Sequence, residues 1–239
     1  MIILRSAVFN LFFFVATFVL TLIGTFARLF APHRTLDIAV AWARLLLWGA
    51  RVICGIRCQV IGEPPTGAAV IASHHESAFD TLVWMTLVPR PAYVMKQDLM
   101  RIPLFGGLTR SAGMIAVDRN AGAKAMRGLM RDAARAAAEQ RQIVIFPEGT
   151  RAAPGTLLPL QPGVAALAAA TGLPVIPVAT DSGLCWGRRA FRKQPGVIHV
   201  VLLPPIPAGT RRQELLRRLE VALRTDVRTA TPPVDKSVG

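Results

Sequence analysis

Ala68-Ala69-Val70-Ile71-Ala72-Ser73-His74-His75-Glu76-Ser77-Ala78-Phe79-Asp80 is the stretch on which the rest of the chain turns. Its first five residues are aliphatic and partly β-branched, the pattern of a buried strand that ends at a sheet edge and hands the following residues to a loop. His75 is the residue to follow in that loop. Imidazole titrates nearest neutrality of all side chains, and a carboxylate five residues later can return to it across a tight turn or a first helical turn. Asp80 would then set the tautomer: one ring nitrogen donates to the carboxylate, while the other faces a cleft and takes a proton from a hydroxyl. Two other readings stand beside this one. A histidine at a strand end is often only a hydrogen-bonded loop residue, and His74, His75, Glu76 and Asp80 are all possible metal ligands. The metal reading is the weaker, because HExxH spacing is absent and His33 and His199 lie away from any second ligand cluster; no metal is expected.

Outward from this stretch the pattern alternates. Strands are expected near 68–72, 92–96, 113–117, 143–146, 174–179 and 197–203, and helices near 79–87, 121–140, 162–171 and 211–227. Such alternation predicts an α/β fold, a central mixed sheet covered by helices on its faces. Three further stretches put a small or kinked backbone and a basic residue at a strand end. Gly113 to Val117 leads to Asp118-Arg119, whose guanidinium suits a phosphate or carboxylate but equally an ordinary solvated turn. The strand Ile143-Val144-Ile145-Phe146 is stopped by Pro147, and Glu148-Gly149-Thr150-Arg151 follows as a compact loop. There Gly149 allows close backbone approach, Arg151 offers a second guanidinium, and Glu148 could accept from a substrate hydroxyl or orient an arginine. Leu173-Pro174-Val175-Ile176-Pro177-Val178 reads as a strand lining a lipid-accommodating groove or as a plain edge strand.

On the N-terminal side, Ala7 to Phe26 is almost continuously apolar and would just span a bilayer. Pro32 ends this helix, and a second runs from about Thr35 to Cys54, with Asp37, Arg44 and Arg51 seven apart on one stripe. The two could form a hairpin dipping into one leaflet, or the first could cross. A cleaved signal peptide fits less well, because the chain stays apolar beyond the first segment. The expected division is a two-helix membrane anchor at 1–57, a single catalytic domain at 58–228 and a disordered tail at 229–239. The formal charge of +14 comes almost wholly from arginine. Basic proteins meet nucleic acid or anionic lipid, and the apolar N-terminus favours lipid. Zinc-finger spacing, an RNP-like aromatic run and a basic heptad array are all absent, so nucleic acid is not an expected partner. Three cysteines without a CxxC suggest a reducing compartment.

Taken together, His75 and Asp80, Gly113 to Arg119, Phe146-Pro147-Glu148-Gly149-Thr150-Arg151 and Val175-Ile176-Pro177-Val178 resemble, in order, the four blocks of the 1-acylglycerol-3-phosphate acyltransferases of the glycerolipid acyltransferase superfamily. Lys96, with Gln97-Asp98-Leu99 and Ile102-Pro103-Leu104-Phe105-Gly106 behind it, resembles the family's lysine-containing segment. His74 and Glu76 stand where the family more often has Asn and Gln. The resemblance implies transfer of a fatty acyl group from acyl-CoA or acyl-carrier protein to the sn-2 hydroxyl of lysophosphatidic acid, making phosphatidic acid in phospholipid biosynthesis. It implies His75 as general base, Asp80 as its orienting partner, and Lys96, Arg119 and Arg151 on the acceptor phosphate, with Glu148, Gly149 and Thr150 shaping the acceptor site. No cofactor is expected beyond the acyl donor. The bilayer would be a partner, with the protein on the inner membrane and its catalytic domain in the cytoplasm. Another lysophospholipid or a lyso-ornithine lipid is the alternative acceptor, and a non-catalytic lipid-binding protein the alternative class.

Overall fold

The computed structural model describes residues 1–118 and 122–229. Its centre is one seven-stranded sheet built from β1 (Ile56–Ile61), β2 (Ala69–Ser73), β3 (Pro91–Lys96), β4 (Ile115–Val117), β5 (Gln142–Ile145), β6 (Val175–Thr180) and β7 (Gly196–Leu202), in the order β1-β7-β6-β2-β5-β3-β4. All pairs are parallel except β6 with β7, which makes the sheet mixed. The three central strands β6, β2 and β5 are buried along their whole length, as their largely aliphatic runs require of strands covered on both faces. Side chains alternate between two cores. Ile71 points to the side covered by α1 (Ile2–Phe30), α2 (Thr35–Cys54) and α3 (Phe79–Leu87). Val70 and Ala72 point to the side covered by α5 (Gly122–Ala138), α6 (Gly163–Thr171) and α8 (Arg212–Leu223).

Three elements escape the sequence pattern. β1 is an edge strand whose middle residues, Arg57, Cys58 and Gln59, are exposed, so only Ile56 and Ile61 carry an apolar signal. The short helices α4 (Phe105–Ser111) and α7 (Ser182–Cys185) have too few turns to show a period. In α4, Gly106 sits so close to the preceding turn that a Cβ would fall 1.9 Å from the Met100 carbonyl oxygen, and any side chain there would displace backbone. β6 is neither an edge nor a simple groove wall: it lies inside the sheet between β7 and β2. Pro177 is tolerated because the β7 ladder begins only at Val178, so the N–H it lacks is not called for.

Pro32 breaks the N-terminal apolar run into α1 and α2, joined by a single 3₁₀ turn over Pro32–Arg34. Of the two, α1 is the one long and apolar enough to cross a membrane. It nevertheless lies along the domain. Ser6, Phe9, Ala16 and Gly24 are buried on its inner face. Phe9 meets Trp186 edge to face at 5.1 Å, Lys193 N donates to Ser6 Oγ at 2.9 Å, and Trp42 of α2 donates to Thr17 Oγ1 at 3.0 Å. Its outer face is bare, with Leu11, Phe14, Phe18 and Phe26 each more than three-fifths exposed. On α2, Asp37, Arg44 and Arg51 are all exposed, in company with Leu45, Trp48 and Val52. The tail from 230 to 239 lies outside the described residues.

Candidate active site

Sheet register brings the candidate residues together. β2 runs between β6 and β5, with Ala72 opposite Ile145 and Ser73 opposite Val178. The loops leaving the C-terminal ends of β2 and β5 therefore start side by side, at the edge where open α/β sheets bind ligands. A bond from Ala152 N to the His75 carbonyl at 2.7 Å ties the two loops, and one from His74 N to the Val178 carbonyl at 2.8 Å ties the first to β6.

Asp80 sits in the first turn of α3, and its Oδ2 gathers three donors. Glu76 N and Ser77 N each donate to it at 2.8 Å, and His75 Nδ1 lies 3.1 Å away. The loop is thereby folded around the carboxylate. Asp80 is fully inside, and the His75 side chain is only 11% exposed. The ring of His75 stacks on Phe146, with centroids 3.9 Å apart and planes inclined by 19°. With Nδ1 committed to Asp80, Nε2 is the nitrogen left for a reacting group in the cavity that His75 lines. Such a pair can take a proton from a hydroxyl and hold the resulting imidazolium.

Behind the loop lies a second, buried group. His74 Nε2 is 3.5 Å from Glu148 Oε1 and 3.9 Å from Glu76 Oε1. Glu76 joins three segments, since its two oxygens accept from Gly155 N at 3.0 Å and Gly183 N at 2.9 Å. Burial pushes both the Glu76 and the Glu148 carboxyl up to about 7, and it pushes His74 below its ordinary value. Glu148 is thus placed against His74, with its side chain wholly buried, and it does not line the cavity. Gly149, next to it, has φ +73° and donates to the Phe146 carbonyl at 3.0 Å, closing a turn that a side chain would strain. Among the described residues no group of three or more His, Cys, Asp or Glu is set to hold a metal ion.

The cavity has a volume of about 890 Å³, within the range of small-molecule sites of about 300–1,000 Å³. Lys96, Gly149, Thr150 and Arg151 line it, together with Arg188 and Arg189. The rest of the lining is mostly apolar, with Leu20 of α1, Ile38 and Trp42 of α2, Met85, Met95 and Leu108 among several threonines. Lys96 is paired with Asp98, and its strand neighbour across the β3–β4 ladder is Val117. Arg119, two residues farther on, lies outside the described residues. Burial draws the Arg151 guanidinium below its ordinary value; the Asp80 carboxylate opposes this, and the charges of Arg188 and Arg189 add to it. Sequence reasoning missed Phe146 as the platform for His75, and it missed Arg188-Arg189, a doublet behind Gly187 that does not stand out among 28 basic residues.

Comparison with known proteins gives a consistent set of likenesses. The family model described as Acyltransferase matches residues 57–181. A protein of Pseudomonas aeruginosa named 1-acyl-sn-glycerol-3-phosphate acyltransferase is 32% identical over 209 residues, covering 86% of this chain and 81% of its own. One of the same name from Limnanthes alba is 35% identical over 166 residues, 68% of this chain and 57% of its own length. The crystal structure of the 1-acyl-sn-glycerophosphate acyltransferase of Thermotoga maritima superposes with a TM-score of 0.72 over 94% of this chain and 95% of that one; at 20% identity this likeness bears on the fold.

Proposed function

The chain belongs to the acyltransferase family, and from that premise we propose that it moves a fatty acyl group from a thioester to the sn-2 hydroxyl of lysophosphatidic acid. One observation carries this reading. The His75–Asp80 pair opens on a single cavity lined by both cations and apolar side chains, the two chemistries of a lysophosphatidic acid. His75 Nε2 removes the proton as the acceptor hydroxyl attacks the thioester carbonyl. The tetrahedral intermediate collapses with loss of the thiolate, which takes up the proton held on His75, so that an ester and a free thiol leave. A thiol with an ordinary pKa of about 8.5 is a good leaving group, and neither a Ser nor a Cys nucleophile is required. Lys96, Arg119 and Arg151 hold the acceptor phosphate, and Gly149 and Thr150 shape the glycerol site. Glu148 serves from behind, keeping the loop in place through His74. The donor is acyl-CoA or acyl-carrier protein, and no cofactor takes part.

The apolar outer face of α1 and the exposed Leu45, Trp48 and Val52 of α2 support membrane association, and we place the protein in one leaflet of the inner membrane with its catalytic domain in the cytoplasm. In this reading residues 1–57 are the anchor and 58–228 the catalytic domain. The test is thiol release from acyl-CoA by membrane-bound protein, with lysophosphatidic acid, lysophosphatidylcholine or no acceptor, for the natural protein and His75→Ala. Release that requires lysophosphatidic acid and vanishes with His75 is expected. Release without acceptor would mean a thioesterase, and equal use of both acceptors would move the specificity away from the phosphate monoester.

A further inference from the structure

Arg188 and Arg189 are the cavity-lining cations to which the resemblance assigns no role, and they stand beside Arg151. Among the described residues none of the three forms an ion pair with a carboxylate; Arg188 Nη1 instead donates to the Arg151 carbonyl at 3.3 Å. Like charges gathered at one cavity repel one another; the Asp80 carboxylate offsets this at Arg151 without pairing with it, and an anion arriving in the cavity would relieve it further. The backbone that carries the pair is held in place. Ala190 N donates to the Gly187 carbonyl at 3.1 Å, closing a turn with Arg188 and Arg189 at its two central positions. Arg189 has φ +52°, a conformation for which glycine or asparagine is the usual choice. The base of the loop is fastened by Gln194 N on the Cys185 carbonyl at 2.8 Å and by the buried Lys193, whose Nζ binds the carbonyls of Ala190 at 2.7 Å and Phe191 at 3.0 Å. Lys193 is thus occupied with these carbonyls and with Asn10 Oδ1 at 3.3 Å. The two arginines, exposed yet part of the cavity lining, stand on a strained, anchored turn, the arrangement in which local strain accompanies a functional position.

We infer that Arg188 and Arg189, together with Arg151, form a phosphate-holding subsite of the acyl-transfer cavity. Guanidinium forks match phosphate oxygens bidentately, and two on one turn can grip a single phosphate from two directions. This inference rests on the acyl-transfer reading, in which a phosphate arrives either on the acceptor or on the donor thioester.

The experiment reads binding and turnover separately. Full-length protein in neutral detergent is treated with phenylglyoxal, and adducts at Arg188 and Arg189 are followed by mass spectrometry in the presence of lysophosphatidic acid, monoacylglycerol, CoA or pantetheine. Protection by lysophosphatidic acid but not monoacylglycerol assigns the subsite to the acceptor; protection by CoA but not pantetheine assigns it to the donor. Equal protection by the phosphate-free counterparts, or none at all, overturns the inference. So does equal protection by phosphatidylglycerol vesicles alone, which would make the pair a membrane contact. In turnover, Arg188→Gln/Arg189→Gln raises the KM of the phosphate-bearing partner relative to its phosphate-free analogue by roughly tenfold or more, the weight of a lost charge-assisted contact. Arg188→Lys/Arg189→Lys recovers part of it, and an unchanged ratio counts against the subsite. Absence of lysophosphatidic acid turnover in the natural protein would sink the proposed function while leaving the protection result readable.

Discussion

At the scale of single residues, Asp80 and Glu148 are both buried carboxyls with opposite surroundings. Asp80 Oδ2 has three donors aimed at it, whereas the Glu148 oxygens have no hydrogen-bond donor among the described residues within ordinary geometry. Asp80→Asn cannot stabilise an imidazolium, so kcat is expected to fall by roughly 10³–10⁴, as when other His–Asp pairs lose their carboxylate; near-normal kcat in a folded variant would refute the pairing. Glu148 makes a different prediction. Its carboxyl, pushed by burial to about 7 from an ordinary 4.5, holds its proton in the folded protein at pH values where the unfolded chain has released it. The folded state then binds more protons, so the Glu148 contribution to stability is present at low pH and is lost as pH rises from about 4.5 through about 7. Glu76 acts with the same sign, and His74, pushed down by burial, with the opposite one. Glu148→Gln is therefore expected to flatten the fall in Tm across this window and to be more stable than the natural protein at pH 8; a parallel Tm profile would show that the carboxyl is not protonated in the fold.

At the scale of elements, the sheet edge opposite the site is held by one arginine. The Arg141 guanidinium is buried and donates to the carbonyls of Pro91 at 2.6 Å, Ala112 at 2.8 Å and Gly113 at 2.9 Å, tying the start of β3 and the turn before β4 to the start of β5. Burial depresses its pKa, and hydrogen bonds to carbonyls, including Nε to the Arg90 carbonyl at 3.4 Å, offset the cost. Arg141→Met leaves those carbonyls without donors, and a loss of roughly 3–5 kcal/mol in unfolding free energy is expected, each orphaned group costing about 1–3 kcal/mol. A loss under about 1 kcal/mol would mean that water replaces the guanidinium. This role was not visible in the sequence, where Arg141 falls between the helix expected near 121–140 and the strand expected near 143–146. The helices and inner strands were visible because a buried face imposes its period on neighbouring residues. β1, α4 and α7 were not, because exposed or very short elements impose none.

At the scale of the whole molecule, α1 and α2 belong to the core that also holds α3 and the sheet, and they supply part of the cavity wall. Deleting them would remove Phe9, Leu46 and Ala50 from packed positions, so a substitution on the outer face tests membrane seating more cleanly. Phe14→Ser/Phe18→Ser/Leu22→Ser changes only exposed side chains. Each is worth about 1.5–3 kcal/mol on leaving water, so bilayer partitioning in a flotation assay should weaken by at least roughly a thousandfold if all three are immersed. Unchanged flotation would mean that another surface carries the attachment.

The sequence alone determined the elements and the chemistry. Aliphatic runs and helical periods are local signals, and His75 with Asp80, or Phe146 to Arg151, are short blocks whose residue types already state what they can do. Tertiary structure decided what those blocks face. The ladder of β2 between β5 and β6 stacks His75 on Phe146, turns Glu148 inward to His74 rather than toward the cavity, and brings Arg188 and Arg189 beside Arg151 from a turn 37 residues away. Those relations depend on strand order and register, which are set by long-range packing and leave no mark on the spacing of residues along the chain.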